Sequence, residues 1–275
     1  MKKINILLVV SFLFTLLACN KNEVVEKIDF EIDKEITLTN PSNSSNPYDY
    51  CGVLHNKSLR MTLDELSGEP NVNFEKTIST AFRISGQVVL EAGIVPQNSS
   101  PINFEDYENY EDLMALLQFL MEDVENNYEN FIAALDLDSD TKEQLQSLFE
   151  NVIAMAEDEN VTEDDIFNEI LIFETQVLEN ILIIPSDEIE TILVGTSTFR
   201  HSLSFWADEM NIQSFDKKAP NTEVNELAKK KWWKWIGVAL ADVGGALAGT
   251  ATGGPILGVV VGAVASAAGA ATETS

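Results

Sequence analysis

The chain has 275 residues, with 45 Asp or Glu against 17 Lys or Arg and a formal net charge of −28. So acidic a protein repels nucleic-acid phosphates and bare anionic lipid, which excludes nucleic acid as a partner. Its length suffices for one large domain or two small ones.

Met1-Lys2-Lys3 is a charged start, and Ile4 to Leu17 is an apolar stretch too short to span a bilayer as a mature helix. Leu16-Leu17-Ala18-Cys19 follows and resembles the lipobox of exported bacterial lipoproteins. The resemblance implies that residues 1–18 are a signal peptide, that cleavage falls before Cys19, and that the Cys19 thiol is diacylated. It also implies a lipid-anchored place in the bacterial cell envelope, with Asn at residue 20 favouring the outer membrane over the inner. With Cys19 lipidated, Cys51 has no disulfide partner and reads as a small buried apolar residue.

Residues 19–46 are polar and close on Asn40-Pro41-Ser42-Asn43-Ser44-Ser45-Asn46, a composition that predicts a flexible tether. Within it, Ile36 to Thr39 could form a short strand. The body, residues 47–210, begins with Asn46 as an N-cap before a first-turn Pro47, and its first helix runs to about Leu66 and stops at Gly68. A second helix covers Phe74 to Glu91 and ends before Gly93.

Between Pro101 and Glu190 stand 26 Asp or Glu and a single Lys, Lys142, yet the apolar residues stay periodic. Leu113 to Leu135, Leu145 to Ala156, and Ile166 to Ile184 each recur by threes and fours, as amphipathic helices require. Thr162-x-x-Asp165 resembles a capping box, Pro185 is expected to end the third of these helices, and the last helix of the body covers Asp187 to about Glu209. Helices that each bury one stripe and expose their carboxylates predict an all-α, acidic helical bundle.

After a basic-ended linker, 211–231, the character of the chain changes. Ile236 to Ala271 holds 9 Gly, 11 Ala and 11 Ile, Leu or Val in 36 residues, and Asp242 is its sole charge. Ala241, Gly245, Gly249 and Gly253 form one series spaced by four, and Gly254, Gly258, Gly262, Ser266 and Ala270 form another. Spacing of four lines small residues along one helix stripe, where a second backbone can come close. The register breaks at Gly253-Gly254-Pro255, so residues 232–275 are expected to fold as a C-terminal Gly/Ala-rich helical hairpin packed groove to groove. Lys231, Trp232, Trp233, Lys234 and Trp235 precede it with the indoles and lysines of a membrane-interface anchor. The alternatives are a hairpin buried against the protein's own helices, and an acidic body that cradles the basic segment until a trigger frees it.

Motifs for chemistry are sparse. Asp136, Asp138 and Asp140 alternate as in an EF-hand loop, but position six is Thr141 rather than Gly and position twelve is Ser147 rather than Glu. A second frame on Asp158, Asn160, Thr162 and Glu169 has Glu163 at position six. His55 and His201 stand on separate helices without zinc-ligand spacing. No nucleophile elbow, phosphate loop or dinucleotide fingerprint occurs, so neither an enzyme nor a cofactor is expected.

The glycine series resemble the glycine-zipper tails of some bacterial envelope proteins. Gly52-Val53-Leu54-His55-Asn56 and Ser204-Phe205-Trp206 resemble segments of uncharacterised exported lipoproteins. These resemblances imply a non-enzymatic envelope lipoprotein whose hairpin associates with membrane or with a like hairpin in another copy. The alternatives are a membrane-active, bacteriocin-like antagonistic protein and a calcium-modulated binding module.

Overall fold

The computed structural model describes residues 40–94, 124–209 and 223–272, apart from 68, 70, 71, 159, 160, 180, 181 and 183. Cys19, the signal segment, Ile36 to Thr39 and the first turns of the helix expected around Leu113 lie outside the described residues. Among those described, the protein is all-α, with eight helices and no strand. They are α1 (Asp49–Ser67), α2 (Phe74–Glu91), α3 (Val124–Ala134), α4 (Ser139–Glu157), α5 (Glu163–Leu178), α6 (Ile189–Glu209), α7 (Glu223–Gly253) and α8 (Pro255–Thr272).

Among the described residues, three helix starts are set by side chains that satisfy the first free amides of a helix. Asn73 accepts from the Lys76 amide at 2.8 Å to start α2, and Asp138 accepts from the Asp140 amide at 2.9 Å to start α4. Thr162 and Asp165 form a reciprocal capping box on α5. Asn46 departs from the expected cap, because its Oδ1 takes the Tyr48 amide at 2.8 Å in a turn and the helix begins only at Asp49. α5 stops at Leu178, short of Pro185, so Leu182 and Ile184 pack on the core from the connection. α7 starts at Glu223, nine residues before the expected Trp232, since the Glu, Leu, Ala and Lys of the assumed linker are good helix formers.

Between α7 and α8 the chain reverses at Gly254, whose φ of +78° is a left-handed conformation that glycine adopts without strain. Pro255 follows as the first residue of α8, where its missing N–H costs nothing. The two arms then meet at backbone distance. A Cβ on Gly249 would lie 2.5 Å from the Leu257 carbonyl oxygen and 2.9 Å from Gly258 Cα, and one on Gly245 would lie 2.8 Å from the Val261 carbonyl.

The hairpin is the centre of the molecule. Every residue from Leu257 to Gly269 is buried, with α8 enclosed by α7, α1, α2 and α6. α6 is nearly as enclosed, buried from Thr191 through Leu203. One continuous core joins Leu54 of α1, Phe82 of α2, Phe149 of α4, Phe199 of α6, Leu240 of α7 and Val264 of α8, so the expected boundary near residue 231 does not separate two cores. Outside this centre, α3, α4 and α5 bury Phe131, Leu145, Val152, Ile166 and Ile170 and turn carboxylates such as Glu143, Glu150 and Asp164 to solvent. Glu174 of α5 breaks that pattern, being fully buried.

Candidate functional site: a buried polar spine

Two polar clusters lie along the junction of α1, α6 and the hairpin. Their α1 residues are Asp49, Gly52, His55 and Asn56, whose spacing by threes and fours puts them on one stripe facing α6. Gly52 lets the helices touch there: its amide donates to Ser197 Oγ at 3.1 Å, and a Cβ would fall 2.7 Å from the Ser197 carbonyl. Asn56 Nδ2 donates to the His201 carbonyl at 2.7 Å.

The first cluster is centred on Arg200, a fully buried cation in the middle of α6. Its Nη2 donates to Asp49 Oδ1 at 2.6 Å and to Glu174 Oε1 at 3.2 Å. Its Nε is 3.0 Å from Glu174 Oε2, at an angle too poor for a hydrogen bond, so that contact is ionic. Nη1 donates to the Pro41 carbonyl. Asn43 Nδ2 reaches Glu174 Oε2 at 2.7 Å, and Asn46 Nδ2 reaches Glu174 Oε1 and the Leu193 carbonyl. The last residues of the expected tether, 41–46, are therefore strapped into the body. A polar composition reads as flexible, but here each amide side chain has a buried carboxylate or carbonyl to satisfy. His201 Nε2 lies 3.3 Å from Asp49 Oδ1. Burial alone would raise the Asp49 carboxyl, but the His201 hydrogen bond and the Arg200 charge hold it below the ordinary range. Burial pushes the His201 imidazole down, against the pull of Asp49.

The second cluster is centred on Asp242, the one charge of the hairpin, which is fully buried. Ser202 Oγ, Ser266 Oγ (2.8 Å) and Trp206 Nε1 (3.2 Å) all donate to its Oδ2, and His55 Nε2 lies 3.7 Å from the same oxygen. Burial raises the Asp242 carboxyl to about 7, opposed by those three hydrogen bonds. Burial likewise lowers His55 to about 4, opposed by its contact with Asn56. A single carboxyl group thereby ties α7 to α6 and α8 by hydrogen bonds, with His55 of α1 beside it.

Serine, histidine and aspartate meet here in an order that does not suit nucleophilic catalysis. A serine nucleophile needs the imidazole as its base, whereas Ser202 and Ser266 both donate to the carboxylate. Both His55 and Asp242 are also closed to solvent. Cys51 is fully buried, and burial pushes its thiol far up. Among the described residues no group of three or more His, Cys, Asp or Glu could hold a metal ion.

Compared with protein-family models, curated proteins and solved structures, the chain matches none.

The sequence candidates fall as follows. Gly245, Gly249, Gly258 and Gly262 lie in the α7–α8 contact, Gly254 makes the turn, and a Cβ on Gly253 would lie 2.7 Å from the Leu257 side chain of α8. Lys231, Trp232, Trp233, Lys234 and Trp235 are part of α7, and their side chains lie outside the described residues. Asp138 caps α4, with Asp136 and Asp140 exposed beside it, and its backbone amide donates to Glu188 at 2.6 Å. Of the second calcium frame, Thr162 is occupied by the capping box and Glu169 accepts from Asn151. The spine itself was missed, although it left a signal: Arg200 and Asp242 are lone charges inside long uncharged runs, and a charge there needs a partner.

Proposed function

We propose that this chain is a non-enzymatic lipoprotein of the bacterial cell envelope, anchored through Cys19, whose acidic helical body carries its Gly/Ala hairpin in a sheathed form. The observation that carries this reading is the enclosure of α8 by α1, α2, α6 and α7, with every residue from 257 to 269 out of water. Among the described residues no helix is long and apolar enough to cross a membrane, which fits a hairpin that is kept folded rather than one that stands as an anchor. The lipid on Cys19 then supplies attachment, with the outer membrane favoured by Asn20. The hairpin meets a bilayer, or a hairpin of another copy, only when α1 and α6 let it go. His55, Asp242, Cys51 and Arg200 are closed to solvent and hold the helices together rather than lining an open cleft.

Fractionation of cells carrying Cys19→Ala tests this. A sheathed hairpin predicts that the variant leaves the membrane and is recovered soluble and folded, and that labelled fatty acid enters the wild type but not the variant. Recovery of the variant in the membrane fraction would mean that the hairpin is itself an anchor at rest.

A further inference from the structure

Residues 41–46 are held to the body by polar contacts more than by apolar burial. Asn43 and Asn46 are buried, whereas Ser44 and Ser45 face solvent. Within the strap, the backbone amides of Ser45 and Asn46 donate to Asn43 Oδ1 and to the Asn43 carbonyl, both at 3.0 Å. Its bonds to the body join the Pro41 carbonyl, Asn43 and Asn46 to Arg200, Glu174 and the Leu193 carbonyl. Bonds of this kind trade almost evenly against water, whereas the aliphatic residues of α8 lose a dry core when they move. The strap is therefore easier to open than the hairpin.

What the strap covers is the polar tie between α5 and α6. Glu174 of α5 is fully buried and takes donors from two sides: Thr196 Oγ1 at 2.9 Å and Arg200 Nη2 at 3.2 Å from α6, and Asn43 and Asn46 from the strap. Among the described residues Asn43 is the hydrogen-bond donor to Oε2, at 2.7 Å, since the Arg200 Nε contact there is ionic. With the strap lifted, Oε2 has no such donor, Oε1 keeps two, and Arg200 Nη1 has lost the Pro41 carbonyl. Two ions then stand half-satisfied in a dry site, and water reaches them fully only if α5 moves away from α6.

We propose that residues 41–46 are a release clasp on α5: lifted as a unit, they loosen α5 from α6 while the hairpin stays enclosed. α5 packs mainly on α6 and α4, so it can leave α6 without parting α8 from its neighbours. α8 is enclosed by α7, α1, α2 and α6, and its own polar tie runs through Ser266 to Asp242.

Chain order gives the clasp its direction. Residues 19–40 lead into Pro41, so a pull from that side loads the Pro41 carbonyl first, then Asn43 and then Asn46, and uncovers Arg200 before Glu174. That the pull comes from a lipid on Cys19 rests on the envelope reading. The link from strap to α5 does not.

Hydrogen exchange of the Cys19→Ala protein, with and without Asn43→Ala and Asn46→Ala together, tests the clasp. Without the two carboxamides, backbone amides of Ile166 to Val177 should exchange roughly ten- to a hundredfold faster, and those of Leu257 to Gly269 should remain a separate, slower set. Exchange of α5 unchanged by the substitutions overturns the proposal, and so does a single rate class shared by α5 and α8 in the variant. If the variant does not fold, exchange of the Cys19→Ala protein in rising urea, below its unfolding transition, decides instead. The amides of Ser45 and Asn46 should open first, α5 next and α8 last, and α5 opening together with α8 overturns the clasp. Fatty-acid labelling tests the lipid anchor separately: absence of label on the wild type refutes the envelope reading and leaves the clasp standing.

Discussion

Replacing Gly249 by alanine sets two known effects against each other. Alanine is the better helix former by about 1 kcal/mol, which favours the variant. The new Cβ would stand 2.5 Å from the Leu257 carbonyl oxygen, against an ordinary contact of 3.4 Å or more, and 2.9 Å from Gly258 Cα. Both obstacles are backbone, so no rotamer change relieves them, and the arms must part by almost an ångström. α8 has nowhere to go, being pressed on its other sides by α1, α2 and α6. Overpacking of this kind costs roughly 1–3 kcal/mol and here falls at the upper end, so a net loss of about 2 kcal/mol is expected. In a chain of this size that lowers the thermal midpoint by about 4–8 °C. Gly237→Ala is the matched control: nothing lies within 4 Å of its would-be Cβ, so the propensity gain stands alone and the midpoint should rise slightly. Thermal unfolding of the soluble Cys19→Ala protein with each substitution decides it. Equal effects of the two substitutions would refute groove-to-groove packing of the hairpin.

Arg200→Met leaves Asp49 and Glu174 buried without their cation and should cost about 3–5 kcal/mol, measured by urea denaturation, while restoring a cation as Arg200→Lys should recover only part of it. Asn43→Ala should lower stability by about 1–3 kcal/mol and expose residues 41–46 to limited proteolysis, because Glu174 Oε2 loses a buried donor. Cys51 should resist alkylation by iodoacetamide at neutral pH in the folded protein and react on unfolding, since burial both covers the thiol and keeps it protonated.

Much of the fold was legible because amphipathic periodicity and capping chemistry are local. Asn73, Asp138 and the Thr162–Asp165 box act within a few residues, and they set helix starts where spacing alone puts them. The glycine series likewise gave the hairpin and its turn. What spacing could not give was the neighbour of each groove. A stripe of glycine and alanine fits lipid-embedded packing and a tight water-soluble core equally well, and the choice depends on α1, α2 and α6, remote in sequence. The polar spine was hidden for the same reason. Its hydrogen bonds join residues as distant as Asn43 and Glu174, or Asn56 and His201, and each partner taken alone resembles an ordinary polar position. Asp242 was the best clue available: one charge in a run that otherwise has none must be neutralised or paired.

Hydrogen exchange of the Cys19→Ala protein, free of lipid and detergent and held near pH 6, tests the sheathed hairpin most directly. A sheathed hairpin predicts that amides of Leu257 to Gly269 exchange as slowly as those of Thr191 to Leu203, both opening only with the whole fold. Rapid exchange across α8 while α6 stays protected would contradict it, placing the hairpin outside the core.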